Sequence, residues 1–225
     1  MALKFTDTSE QTLEGGMSIL IYGQSGAGKT RLAATTGQPT VIISSENKFL
    51  SIKEAKIPVL LVENLKDLQE AIKTIKSADG DEFRWVVIDS LSDIAETVLI
   101  EESRKVADKR QAYMSVNTAI GELIRELKYL PKHKYYIAKL SDEKDMLKGP
   151  MLPGDKLSRN IVYNFDLVLY YKLGRKDAKT GKVPRALQTY SDDMVVANDS
   201  SGLLDPFEDP DLGLENIVNK ILGVE

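Results

Sequence analysis

The chain of 225 residues contains no cysteine and a single histidine. Without cysteine there is neither a disulfide framework nor a thiolate metal site. Long apolar runs are also missing: none approaches the ~20 residues needed to cross a bilayer. The opening MALKFTDTSE lacks the pattern of a signal peptide. No membrane partner is expected, and the cytoplasm is the expected location. Excess positive charge is absent too. The formal net charge is −4, so the molecule as a whole is not a polybasic binder, although a local basic stripe is compatible with that sum. The remaining composition, 42% hydrophobic and 28% charged, is that of a globular protein. The length suits one sizeable α/β domain, here taken as residues 1–225 with an N-terminal arm over 1–14.

Short strand-like runs alternate with helical patterns, which predicts a three-layer α/β core. The strand-like runs are MSILIY (17–22), TVIISS (40–45), PVLLV (58–62), WVVID (85–89), KYYIAKL (134–140), FDLVLYYKL (165–173) and RALQTYS (185–191). Asn64 is placed to cap a helix whose Leu65, Leu68, Ile72 and Ile75 share a face. Two helices are expected after Asp89. The second carries Val116, Ile120, Leu123, Ile124, Leu127 and Leu130, and Pro131 ends it. Residues 214–222 read as a terminal amphipathic helix. GRKDAKTGK, between the last two strands, reads as a hairpin tip over 173–185. The stretch SDEKDMLKGPMLPGDKLSRN (141–160) has little periodicity and is read as a functional loop.

The strongest chemical signal is GQSGAGKT, running Gly23, Gln24, Ser25, Gly26, Ala27, Gly28, Lys29, Thr30. It fits G-x-x-x-x-G-K-[ST] between a strand and a helix. The glycines permit a nest of backbone N–H groups aimed at phosphate oxygens. Lys29 would reach the β- and γ-phosphates, and the Thr30 hydroxyl would meet Mg²⁺. Nucleotide contacts are assigned to these eight residues and to Arg31, with Lys29 also counted as catalytic.

Asp89 closes an apolar strand and should emerge near the loop, where a carboxylate can hold Mg²⁺. Capping of the following helix is its other reading, a role equally open to Ser90. Glu46 stands just beyond TVIISS, where it either orients the attacking water or is a solvated loop residue. Basic residues gather in three places. Arg104, Lys105, Lys109 and Arg110 follow the fourth run. Lys139, Lys144, Lys148, Lys156 and Arg159 lie in and beside the long loop. Lys172, Arg175, Lys176, Lys179, Lys182 and Arg185 surround the hairpin. Each cluster is either a solvated face or a nucleic-acid contact. His133, flanked by lysines, is expected to face solvent, and Trp85 to pack in the core.

The order of these motifs, with SSEN (44–47), VVIDS (86–90), PMLPGDKL (150–157), FDLVLY (165–170) and LQTYSDDMVVANDSSGLL (187–204), resembles the RecA-like phage nucleotide-binding proteins of the Sak-type single-strand annealing group. The resemblance runs from about Gly16 to the C-terminus. It implies a RecA-like P-loop core with a mostly parallel sheet and a C-terminal β-hairpin, binding ATP and Mg²⁺. It assigns water activation to Glu46 and makes the nucleotide ATP rather than GTP. Single-stranded DNA would face the segment after Asp89 and the loop 141–160, through Arg104, Lys105, Lys139, Lys144, Lys148, Lys156 and Arg159. The protein would act as a ring or filament of identical subunits, with a single-strand-binding protein as a further partner.

Two departures accompany the resemblance. Where relatives carry a polar sensor after the strand 134–140, this chain offers Lys139 or Ser141. Where they carry A-K-D-R, with two cations that reach a neighbouring subunit's γ-phosphate, it has ANDS, with Asn198 and Ser200. Either turnover is slow, or another cation such as Arg185 or Lys182 substitutes, or nucleotide binding drives assembly with little hydrolysis. A small P-loop kinase is the alternative enzyme class, but RKDAKTGKVPR (175–185) is lysine-rich and turn-like where such a kinase has an arginine-rich lid.

Overall fold

The computed structural model describes residues 15–141 and 147–224. The arm 1–14 and Lys144 lie outside the described residues. Three strands, β1 (Ser18–Gly23), β2 (Thr40–Ser44) and β4 (Trp85–Ile88), are buried at every position. They therefore show no polar alternation, as expected of parallel strands covered on both faces. With β3 (Val59–Leu61), β5 (His133–Leu140) and β7 (Leu167–Leu173) they form the parallel body of one sheet. Antiparallel additions are β6 (Pro150–Met151) on β5, β8 (Arg185–Gln188) and β9 (Asn198–Asp199) on β7, and β10 (Phe207–Glu208) on β8. The order along the sheet is β10-β8-β7-β1-β5-β4-β2-β3.

Side-chain alternation in the central strands builds the three layers. Leu20, Tyr22, Val41, Ile43, Val86, Ile88, Tyr136 and Ala138 face α2 (Leu65–Lys76), α3 (Leu91–Lys105) and α4 (Lys109–Lys128). Ile19, Ile21, Ile42, Trp85, Val87, Tyr135 and Ile137 face the other way, where Leu32 ends the short α1 (Lys29–Leu32), Ala33 follows it, and Leu214, Ile217 and Val218 come from α6 (Gly213–Leu222). The helices form where the 3.6-residue stripe and a cap coincide. Asn64 accepts from the Asp67 N–H to start α2, and Ser90 accepts from the Asp93 N–H to start α3.

Two expectations are corrected. His133 does not face solvent: its ring stacks on Trp85 at 4.8 Å, and its Nδ1 accepts the Met17 N–H at 3.1 Å. Burial lowers its pKa. His133 is half-buried, and the flanking lysines are buried. Lys132 donates to the carbonyls of Gly80 and Phe83, and Lys134 to those of Gly15, Lys128 and Leu130. A basic tripeptide that reads as surface thus turns its side chains onto main-chain groups, the lysines donating to carbonyls and His133 accepting an N–H. The stretch 141–160 is also not wholly irregular. It contributes β6 and the helix α5 (Asp155–Asn160), stapled together because Ser158 Oγ accepts the Leu152 N–H and donates to the Leu152 carbonyl.

Candidate nucleotide-binding site

Parallel strands bring their carboxyl ends to one edge, the usual ligand edge of an α/β sheet. That edge holds Gly23 of β1, Ser44 of β2, Asp89 after β4 and Lys139 of β5. A β-carbon at Gly23 would lie 2.7 Å from the Tyr171 carbonyl oxygen, so only glycine lets β1 run that close to β7. Gly28 takes φ +114°, outside the range of ordinary side chains. Gln24, Ser25 and Gly26 are exposed at the lip of the loop, and Ala27 is buried beneath it. From below, the Tyr135 hydroxyl donates to the Lys29 carbonyl at 2.8 Å.

Lys29 folds back over its own loop, donating to the carbonyls of Gly23 (2.6 Å) and Gln24 (2.8 Å). Burial lowers its pKa to about 8, against the pull of Asp89 and Asp93. Thr30 Oγ1 donates to Asp89 Oδ2 at 2.7 Å. Burial raises the Asp89 carboxyl, opposed by the Thr30 hydrogen bond and by Lys29. Ser90 takes the capping role of α3, which leaves Asp89 facing the loop.

Ser44, the first residue of SSEN, ties the third element in. Its hydroxyl donates to the Asp89 carbonyl and accepts the Glu46 N–H at 3.1 Å. The Glu46 carboxylate pairs with Lys48 at 2.9 Å and is partly exposed. Lys139 is fixed by Asp93 at 2.5 Å and Glu96 at 3.0 Å. Its main-chain N–H donates to Ser92 Oγ, which donates in turn to the Met151 carbonyl. Asp93 carried one legible signal, the S-x-x-D start of α3 that it forms with Ser90, and Ser92 carried none. Ser44 carried none, because its link to Asp89 spans 45 residues of sequence.

The expected DNA contacts divide. Lys105 is held by Glu101 and Glu102, and Lys139 by its two acids. Arg104, Lys156 and Arg159 are exposed and Lys148 is half-buried. Among the described residues none of these four has a carboxylate partner. Asn198 and Ser200 lie at the far end of the sheet from the loop: Asn198 pairs with Val168, whereas Gly23 pairs with Tyr171. Three residues of strand are ~10 Å, so this pair does not reach its own phosphate cradle.

Among the described residues no group of three or more His, Asp or Glu side chains is arranged to hold a metal. That fits Mg²⁺, which is typically held by one or two protein oxygens together with phosphates. The hard oxygen donors Thr30 and Asp89 suit it.

No curated protein matches the sequence. Among solved structures, the chain is similar to a KaiC-like protein from the hyperthermophilic archaeon Pyrococcus horikoshii, with 16% identity, 77% of this chain and 79% of the other covered, and a TM-score of 0.49. It is also similar to an ATPase from the type III secretion system of pathogenic bacteria, with 15% identity, a TM-score of 0.52, and 70% of this chain but only 52% of the other covered. At that identity the second likeness shows the fold alone, that of RecA-like P-loop ATPases. The family profile described as "AAA domain" matches residues 15–201, most of the chain including the whole phosphate loop. The chain belongs to that AAA domain family.

Proposed function

We propose that this protein binds and hydrolyses ATP, and that as an oligomer it uses the nucleotide to bind single-stranded DNA and promote annealing or recombination. The observation that carries the nucleotide half is the 2.7 Å link from Thr30 to Asp89. It joins the phosphate loop to the acid at the end of β4, with Glu46 tied to the same point through Ser44. Gly26, Gly28 and their neighbours present N–H groups to the phosphates. Lys29 leaves the Gly23 and Gln24 carbonyls for the β- and γ-phosphates. Thr30 and Asp89 would hold Mg²⁺, which would supply positive charge to the phosphoryl oxygens. Glu46 orients a water and takes its proton as the water oxygen bonds to the γ-phosphorus and the bond to the β-phosphate oxygen breaks. Before it can do so, Glu46 must part from Lys48. Asn198 and Ser200 carry no charge, so turnover is slow unless another cation acts.

The DNA half rests on the order of motifs and on the exposed Arg104, Lys156 and Arg159, with Lys148 beside β6. Phosphate contacts of this kind make binding strongly salt-dependent. Single-strand binding measured with ATP, with ADP and without nucleotide, across a salt series, tests it. ATP-enhanced binding that weakens steeply with salt supports the role, and absent or salt-insensitive binding removes it. The neutral pair Asn198 and Ser200 favours one second reading, a nucleotide-gated assembly factor. It would change oligomer size with ATP while hydrolysing almost none.

A further inference from the structure

The β7–β8 hairpin places a cation beside the phosphate loop of its own subunit. Arg185 pairs across the hairpin with Leu173. Leu187, two residues on, is buried in the core on the α1 side of the sheet, so Arg185 projects toward that face. The reach is measurable at Gly28. A β-carbon there would lie 3.0 Å from the Tyr171 hydroxyl and 3.8 Å from Arg185 Nη1. Burial raises the Tyr171 phenol pKa, and the Arg185 guanidinium beside it acts in the opposite direction, as Arg31 does more weakly. Arg185 is exposed and has no carboxylate partner among the described residues. A guanidinium that no described carboxylate neutralises, at the rim of an anion cradle, is placed to meet a phosphate.

We propose that Arg185 is a nucleotide-binding residue acting in cis, on the phosphates nearest Gly28 and Arg31, those shared by nucleoside di- and triphosphates. Tyr171 props it there. Lys29 occupies the other end of the loop, over the Gly23 and Gln24 carbonyls, so the two cations divide the polyphosphate between them. Arg185, at the base of the hairpin, is then part of the nucleotide site, and it is not a finger directed at a neighbour's γ-phosphate. The inference rests on the proposed nucleotide binding and adds to it a ligand that the loop motif does not contain.

The test is equilibrium binding of ADP and ATP to wild type, Arg185→Ala, Arg185→Gln, Arg185→Lys and, as a hairpin control, Lys176→Ala. One charge-assisted contact predicts a loss of roughly tenfold or more in Arg185→Ala and Arg185→Gln, equal for ADP and ATP. Arg185→Lys recovers part of it, and Lys176→Ala binds as wild type does. Arg185→Gln keeps the bulk of the side chain, so its loss is not one of folding. ADP affinity within twofold of wild type in both neutral variants overturns the inference and leaves the proposed function standing. Failure of wild type to bind either nucleotide overturns both. If turnover is measurable, mixing Arg185→Ala with Lys29→Ala subunits leaves it low for a cis residue. Restored turnover in the mixture places Arg185 in a neighbour's site and overturns the assignment.

Discussion

Thr30 Oγ1 donates to Asp89 Oδ2 at 2.7 Å, across 59 residues of sequence. The contact fixes the end of β4 against the start of α1, and both atoms are hard oxygen donors on the phosphate side of the sheet. Asp89→Asn keeps the shape but removes the charge that would attract a divalent cation. The expected result is a loss of turnover of about a hundredfold or more, with Mg²⁺ no longer strengthening ATP binding. Magnesium titrations of turnover and nucleotide affinity check it.

Glu46 is paired with Lys48 at 2.9 Å, with both side chains partly or largely exposed. Exposed pairs contribute ~0–1 kcal/mol, so Lys48→Ala should leave the melting temperature nearly unchanged and turnover intact. Glu46→Gln should lower turnover by about a hundredfold while ATP affinity stays within about threefold. Parallel loss of affinity in Glu46→Gln would assign the residue to binding instead.

Lys29 should make nucleotide binding pH-linked. Burial sets its pKa at about 8 without ligand, and a polyphosphate anion beside it raises that value. Between the two values the complex holds more protons than the free protein, so affinity falls as pH rises through about 8. Calorimetry of ATP binding at pH ~8.5, in two buffers of different ionisation enthalpy, should show net proton uptake by wild type. Lys29→Met should show none from this group.

Asn198 and Ser200 sit at the opposite end of β7 from the loop, their side chains linked at 2.9 Å. If that edge meets a neighbour's nucleotide, restoring charge with Asn198→Lys and Ser200→Arg should raise turnover at least tenfold, against the 10³–10⁵ that such a cation can supply. The gain should appear only at concentrations where the protein assembles. Equal turnover in variant and wild type, under assembling conditions, would separate this edge from the chemistry.

The central architecture was legible because its strands are short apolar runs buried on both faces, and because GQSGAGKT and the acid after WVVI are local in sequence. What stayed hidden depends on partners far along the chain. β6 has two residues and exists by pairing with β5, and no periodicity survives in so short a strand. His133 looked solvated between two lysines, yet contacts with Trp85 and Met17 from other elements leave it half-buried. Ser44 gains its place from where β2 ends and meets the Asp89 carbonyl. Arg185 read as one cation of a six-residue basic cluster and, with Lys182, as a substitute for the missing cations, but only the pairing of β8 with β7 brings it to Gly28.

The most direct measurement is ATP hydrolysis by wild type and Lys29→Ala, each with and without single-stranded DNA, in the presence of Mg²⁺. The expected result is slow turnover by wild type that single-stranded DNA stimulates, abolished in Lys29→Ala under both conditions. Turnover that survives in Lys29→Ala, or that ignores single-stranded DNA at low salt, would contradict a DNA-coupled ATPase built on this loop.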